Sequence, residues 1–421
     1  MALEQFFECP STLAGFRSAP LGTLLDGFCK SLLERGFSRG RIRFHLCNFS
    51  HVNEYFRRPN GRMRRTVKAG EIEGFFADYA SRCRNRGPLE NHLRGVRCSV
   101  NRFVEYLRQE GRFVAAAPRA IYQPLLDAYL QWMRCDQHAA PGTLALRANS
   151  LRPFLDWLGV DATPRGLARL DCEKVEQFVL AYAPAKGRGA RRCMQSALRT
   201  FFRFALQKRY LRRPLDRAVP ALRTYKLATV PRGLTEEQAQ EVLRGIGRDT
   251  KVGRRDYAIL QLLSTYGVRG GQVRALRLEE LDWVREQILF KAAKRGKDVR
   301  VPMTWEVGEA LLNYLRNGRP ACSCAEVFLT CRAPFHPLAG SNSLSTIVER
   351  RVAAAGIDLP SAGAHAFRHG FATRMLQKGC TLKAIADVLG HRRLSTTFLY
   401  TKVDFNALKQ VALEWPQEVS K

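Results

Sequence analysis

The sequence predicts a mainly α-helical chain: two tandem helical modules, then a mixed α/β part that is mostly helical with one small antiparallel sheet. Three observations predict this. Amphipathic helical patterns recur in the same order at a spacing of roughly 100 residues through the first half. Two short runs, Gln287-Ile288-Leu289-Phe290 and Val299-Arg300-Val301-Pro302, flank a basic turn, Ala293-Lys294-Arg295-Gly296-Lys297, and read as a hairpin. The last part closes on three short helical patterns separated by Gly379 and Gly390.

The repeat is read from four segment pairs. Leu24-Leu25-Asp26-Gly27-Phe28 parallels Leu125-Leu126-Asp127-Ala128-Tyr129, and Arg41 to Phe56 parallels Thr143 to Leu158. Glu71 to Phe76 parallels Lys174 to Val179, and Val100 to Phe113 parallels Leu198 to Leu211. Each reads as an amphipathic helix, and four similar helices in one order point to duplication. The expected boundaries are 1–114 for the first module and 115–215 for the second. Residues 216–233 form a proline-punctuated linker, and the mixed domain covers 234–421. Thr235, followed by Glu236 and Glu237, opens the mixed domain as a helix cap.

Composition narrows the partner. The chain of 421 residues carries 69 Lys and Arg against 38 Asp and Glu, a net charge of +31 with a pI near 10.3. Such a surplus points to a polyanion. The charge is clustered: residues 183–232 hold fourteen basic residues and one acid, Asp216, interleaved with Phe201, Phe202, Phe204, Tyr210 and Tyr225. Lys186, Arg188, Arg191, Arg192, Arg199 and Arg203 are the candidate phosphate contacts. The twelve cysteines have no framework spacing, as in a reducing compartment. Cys322, Cys324, Cys331 and His336 form the one cluster with metal-ligand residue types. No metal is expected there: the spacing fits no standard finger, and Val327-Phe328-Leu329 between them reads as a buried strand. Neither a signal peptide nor an apolar run of membrane-spanning length is evident, so no membrane partner is expected.

The chemistry concentrates between His365 and Tyr400. His365 and Arg368 are three apart in a helical pattern whose apolar positions are Phe367, Phe371, Met375 and Leu376, so they share a face. Gly379 ends that helix, Thr381 caps the next, and Gly390 ends it in turn. His391 follows, and Ser395-Thr396-Thr397 opens a short helix bearing Tyr400. A phenol is a poor nucleophile at neutral pH because its pKa is near 10. A base to take its proton, and cations to stabilise charge on the group it attacks, make it useful. That combination suits attack on a phosphodiester.

The segment resembles the C-terminal signature of the tyrosine recombinase (phage integrase) family, H-x-x-R-H, then L-G-H, then S-T-T-x-x-Y, present here in order. Thr265-Tyr266-Gly267-Val268-Arg269 resembles the turn that carries the family's first arginine. Lys294 matches the family lysine on the hairpin, with Lys297 as the fallback. The motifs cover roughly residues 233–405, and residues 120–225 more loosely resemble the family's SAM-like core-binding bundle. The resemblance implies a catalytic site of Arg269, Lys294, His365, Arg368, His391 and Tyr400. In it Arg269, Arg368 and His391 hold the scissile phosphate, Tyr400 attacks, His365 is the candidate base and Lys294 the candidate acid. It implies a 3′-phosphotyrosyl intermediate, double-stranded DNA as partner, a homotetrameric synapse, alone or with related recombinases, and a bacterial cytoplasmic, nucleoid-associated location. No cofactor is implied, because the arginines supply the charge a divalent ion supplies elsewhere. An integrative, excisive or transposing role for a mobile element follows from the same likeness. His369 is expected to be a packing residue. Gln272 stands where the family often has an acid that orients its first arginine, so Arg269 is expected to be held through an amide without charge assistance. Three readings compete: a type IB topoisomerase, a transcription regulator that uses only the basic helices, and an accessory recombinase-like subunit of weak activity alone.

Overall fold

The computed structural model describes residues 2–58, 63–82, 89–114, 120–222, 233–292, 298–338, 340–359, 363–391, 396–398 and 400. Seventeen α-helices are present among them. They are α1 (Pro10–Arg17), α2 (Gly22–Glu34), α3 (Arg39–Arg57), α4 (Ala69–Arg82), α5 (Leu89–Gln109), α6 (Gln123–Cys135), α7 (Pro141–Leu158), α8 (Pro164–Leu167), α9 (Cys172–Tyr182), α10 (Arg188–Gln207), α11 (Glu236–Arg244), α12 (Lys251–Tyr266), α13 (Gly270–Ala275), α14 (Trp305–Asn317), α15 (Gly340–Ala354), α16 (Ala364–Gln377) and α17 (Leu382–Val388). The strands are β1 (Val67–Lys68), β2 (Phe113–Val114), β3 (Leu281–Asp282), β4 (Gln287–Phe290) and β5 (Val299–Pro302). The chain divides into two compact units, one of residues 1–65, 85–106 and 226–421, the other of residues 66–84 and 107–225. Among the described residues no helix is long and apolar enough to cross a membrane.

In the second unit, α6, α7, α9 and α10 enclose a core of Leu126, Tyr129, Leu151, Phe154, Val175, Leu198, Phe201 and Phe204, each 3% exposed or less. Residues 216–222, expected to begin the linker, pack on this bundle: Val219 is buried in its core beside Leu215. Apolar area removed from water, at about 25 cal/mol per Å², outweighs the turn propensity of the flanking prolines.

The four repeated patterns become α2, α3, α4 and α5 in the first copy and α6, α7, α9 and α10 in the second, with 13, 19, 14 and 21 residues against 13, 18, 11 and 20. The likeness extends to ring geometry. Phe28, Phe103 and Tyr106 lie 5.2, 5.8 and 6.1 Å apart between ring centroids, and the Phe28–Phe103 pair is edge-to-face at 77°. Tyr129, Phe201 and Phe204 repeat this at 5.5, 5.6 and 6.1 Å, with the Tyr129–Phe201 pair at 86°.

In the first unit the core of residues 234–367 is built around α12, whose Ala258, Ile259, Leu260, Leu262 and Leu263 are fully buried. Burial on most sides fits the apolar run from Tyr257 to Leu263, which only Gln261 interrupts. It packs against α14 and α16. The hairpin forms as expected, with Ile288 opposite Val301 and Phe290 opposite Val299, and β3 adds a third antiparallel strand. Val327, Phe328 and Leu329 are fully buried, but isolated bridges at Glu326 and Leu329 stand in place of the expected strand. The Tyr314 hydroxyl accepts the Leu329 N–H at 3.2 Å, and the Arg319 guanidinium donates to the Val327 carbonyl at 3.2 Å. Side chains therefore satisfy backbone groups that a ladder would otherwise use.

Candidate active site

Two left-handed glycines set the frame. Gly267 ends α12 at φ 59°, and a Cβ there would lie 2.5 Å from the Phe371 ring. Gly390 follows α17 at φ 62°. Both conformations suit glycine and strain other residues. They turn the Gly267 and Gly390 carbonyls, with that of Leu389, into acceptors for the two arginines.

Arg368, on α16 and 4% exposed, donates through Nη1 to the Gly267 carbonyl at 2.9 Å and through Nη2 to the Leu389 carbonyl at 2.7 Å. Arg269, the N-cap of α13, donates to that same Leu389 carbonyl at 3.4 Å and to Gly390 at 3.2 Å. Two cations distant in sequence thus converge on the carbonyl end of α17, where unpaired acceptors are concentrated. A guanidinium has five N–H donors, so each keeps donors for a phosphate. Burial, with Arg269 beside it, pushes the Arg368 pKa down to about 10, still cationic at neutral pH.

Gln272 does not meet the Arg269 guanidinium as expected. Its Oε1 accepts the Arg269 backbone N–H at 3.2 Å, and its Nε2 donates to the Lys291 carbonyl at 3.3 Å. The amide therefore joins the turn before α13 to the root of the hairpin, using a donor that a carboxylate lacks. The Lys291 ammonium lies 2.8 Å from the buried Glu280 carboxylate, which raises its pKa. Lys294, the expected acid, and Lys297 lie outside the described residues.

Tyr400 is 2% exposed, its ring packed with Ala372, Ile385 and Leu389 and with Phe371 and Met375. Burial raises its pKa, and Arg368 and Arg269 oppose that shift. Its hydroxyl is 3.0 Å from Nδ1 of His369, with ring centroids 5.6 Å apart. His369 is therefore not merely a packing residue. His365, the expected base, has its ring centroid 6.2 Å from that of His369 and is exposed at the surface. Desolvation, Arg368 and Arg269 hold the His365 pKa below the usual imidazole value.

His391 is oriented by a residue the sequence reading did not single out. The Thr397 hydroxyl, fully buried, is 2.8 Å from His391 Nδ1. Burial, then Arg368, Arg269 and His369, push the His391 pKa down to about 4, so the ring is neutral at pH 7. In the tautomer in which Thr397 donates to Nδ1, the ring proton sits on Nε2 as a donor. Ser-Thr-Thr was visible as a helix opening, but nothing in the sequence says that one of its hydroxyls turns back to an imidazole.

The structure thus brings Arg269, Arg368, His391, His369 and Tyr400 together around the end of α17, with His365 at its edge. The candidate phosphate contacts of the second unit are arranged differently. Lys186, Arg188, Arg192 and Arg203 are exposed and Arg191 is half-buried, around the start and outer face of α10. Arg191 Nε donates to the Lys186 carbonyl at 2.7 Å, and Arg203 lies 3.7 Å from Asp216. Arg199 also has a structural role: its Nη2 donates to the Val219 and Pro220 carbonyls, both at 2.9 Å, and braces the segment leaving the bundle. Among the described residues, no group of three or more His, Cys, Asp or Glu is placed to hold a metal.

Comparison with known proteins agrees with the geometry. The phage integrase family profile matches residues 232–407. The candidate integrase/recombinase y4rA of Sinorhizobium fredii is 35% identical over 99% of this chain and 100% of its own length. Tyrosine recombinase XerD of Yersinia pestis is 27% identical over 68% of this chain and 95% of its own. Among solved structures, a lambda integrase dimer bound to a core site superposes with a TM-score of 0.52 at 15% identity, covering 65% of this chain and 93% of that one. XerH recombinase bound to a palindromic difH substrate gives 0.51 at 18%, covering 70% and 97%. At those identities the structures speak for the fold alone.

Proposed function

From the premise that this chain belongs to the phage integrase family, we propose a site-specific DNA recombinase that breaks and rejoins strands through Tyr400. Arg269, Arg368 and His391 Nε2 hold the non-bridging oxygens of the scissile phosphate. Each charge-assisted hydrogen bond is worth about 1.5–3 kcal/mol, and more where it tightens as the phosphorane forms. The Tyr400 oxygen attacks in line and becomes joined to the 3′ phosphate, while the 5′ oxygen departs. Lys294, in the stretch of sequence between β4 and β5, is the proposed acid for that oxygen. The phosphotyrosine stores the bond energy, so a new 5′ hydroxyl rejoins the strand without ATP. The observation that carries this reading is the shared Leu389 carbonyl. It holds Arg269 and Arg368 side by side, and a doubly charged site of this kind suits an oxyanion.

The partners are double-stranded DNA and further copies of the chain, in a tetrameric synapse, or related recombinases. An element-integrating or transposing role, and a place on the nucleoid in the cytoplasm, follow from that partner. The recurring three-ring clusters support reading residues 1–114 as a duplicate of the bundle at 115–215. The start of α10 supports the second copy's role on DNA. Arg188, Arg191 and Arg192 sit in the first turns of α10, where a helix dipole disfavours cations and suits a phosphate.

The test is covalent trapping. The full-length protein is incubated, in EDTA, with a pool of nicked duplexes of random sequence, and SDS-resistant adducts are recovered and sequenced. The reading expects adducts enriched for one sequence family. Their absence, or a strict magnesium requirement for adduct formation, would overturn it. Transfer between two duplexes would separate a recombinase from a topoisomerase.

A further inference from the structure

His369 Nδ1 touches the one atom that must change its bonding, the Tyr400 hydroxyl, at 3.0 Å. Nothing in the mechanism above uses His369. Resting on the recombinase reading, we propose that His369 is a catalytic residue of this chain, the acceptor of the Tyr400 proton in cleavage and its donor in rejoining.

The argument is geometric. A proton acceptor must lie within hydrogen-bond reach of its proton, about 2.6–3.2 Å between heavy atoms. His369 meets that limit. His365 lies one helical turn earlier on α16, with its ring 6.2 Å from the His369 ring. It is placed to neighbour the acceptor and not the phenol. The hydrogen bond spans two elements, because His369 follows Arg368 on α16 while Tyr400 comes after α17. The residue that orients a phosphate-binding cation and the residue that meets the nucleophile are consecutive, so one helix sets both.

The step balances. The Tyr400 O–H bond breaks and its proton goes to Nδ1 of His369. The tyrosyl oxygen forms a bond to phosphorus with the electrons released, the bond from phosphorus to the 5′ oxygen breaks, and that oxygen takes a proton from Lys294, the acid proposed above, to leave as a hydroxyl. Rejoining reverses each transfer: the 5′ hydroxyl attacks, the phenolate leaves, and His369 returns the proton. The acceptor must be neutral beforehand. The charged and titratable groups around it are His365 and Arg368 on its own helix, His391 and Tyr400. Burial, His365 and Arg368 hold its pKa below the usual imidazole value, which keeps it neutral at pH 7. A neutral imidazole is a weak base toward a resting phenol. It becomes adequate as the O–P bond forms and the phenol proton grows acidic.

The test measures single-turnover adduct formation from pH 6.5 to 9, on a duplex trapped by the wild-type protein, for wild type, His369→Ala, His369→Asn and His365→Ala. Removing a positioned base costs about 10²–10⁴-fold. His369→Ala is expected to lose at least the lower bound at pH 7. Its logarithmic rate should then rise with a slope of about one per pH unit as the phenol ionises unaided, while the wild-type rate stays nearly flat. His365→Ala, whatever its rate, should keep the flat profile because the acceptor remains, and a slope of one in this variant would move the acceptor to His365. Asn presents an amide where Nδ1 was, so it can hold the hydroxyl but not take its proton, and His369→Asn should stay slow at pH 7. A His369→Ala rate within threefold of wild type overturns the proposal. So does wild-type speed in His369→Asn, which would leave only an orienting bond. If the alanine variant does not bind DNA or melts early, the less disruptive Asn variant decides. Absence of any wild-type adduct would overturn the recombinase reading first.

Discussion

Arginine is used in opposite ways in the two regions that matter for DNA. Around α17, Arg269 and Arg368 are anchored to carbonyls and enclosed, so their remaining donors point one way before any ligand arrives. Along α10, Arg188, Arg192 and Arg203 are exposed on a long helix face. Side-chain entropy left in place at the second region makes each contact weak and adjustable. Entropy already removed at the first makes each contact strong and specific in geometry. On the proposed reading, the same residue type serves affinity in one place and rate in the other, and the backbone partners decide which.

A third set sharpens the contrast. Arg255, Arg350 and Arg351 surround Asp256, which is fully buried, at 2.8, 2.8 and 2.7 Å, tying α12 to α15. Here the cations serve stability. Asp256→Asn is expected to cost about 3–5 kcal/mol, because it leaves the buried Arg255 and the half-buried Arg351 without a counter-charge. Denaturant unfolding checks this. A loss below about 1 kcal/mol would mean that the network relaxes into solvent.

Arg368→Lys comes next in size. A lysine cannot bridge the Gly267 and Leu389 carbonyls and still present a fork to phosphate. Cleavage should fall about 10²–10³-fold, while DNA affinity stays within threefold in a mobility-shift titration. Equal losses in both would erase the proposed division between rate and affinity.

Replacing Arg191 and Arg192 with Ala is the converse. The slope of log affinity against log salt should become shallower by about two, at roughly 0.9 per phosphate contact, with the cleavage rate at saturating DNA nearly unchanged. An unchanged slope would place these residues away from phosphates.

The smallest effect belongs to the first module. His45 on α3 is buried, with Ser99 Oγ 2.9 Å from its Nδ1, and burial, Arg41 and Arg102 push its pKa down to about 4. Because the folded value lies below the unfolded one, protons favour the unfolded chain as pH falls from about 6.5 toward 4. At pH 5.5 the cost is about 1.4 kcal/mol, visible as a lower melting temperature than at pH 7.5. His45→Gln should remove that difference, and a difference that persists would assign it to other groups.

Much of this was legible in the chain. The strands fall on Gln287–Phe290 and Val299–Pro302 as the alternation predicts, since one inward face must be apolar. Thr235 and Thr381 cap α11 and α17 through their side chains, and Gly379 and Gly390 take left-handed conformations. These signals are local, so they survive in sequence. What was not legible depends on backbone carbonyls brought from afar. Arg199 looks like its neighbours in sequence, yet Val219 and Pro220 claim it. Gln272 looked like a weakened acid, yet it bridges two backbone groups. His369 looked like packing because a histidine beside an arginine carries no mark of what a residue 31 positions later will place against it.

The central claim is that the Tyr400 hydroxyl is the nucleophile. The direct measurement compares wild type with Tyr400→Phe on a trapped nicked duplex, scoring SDS-resistant adduct and DNA binding in parallel. The account predicts no adduct from the Phe variant and affinity within threefold of wild type, since only one oxygen is lost from a buried ring. An adduct from Tyr400→Phe would contradict it outright.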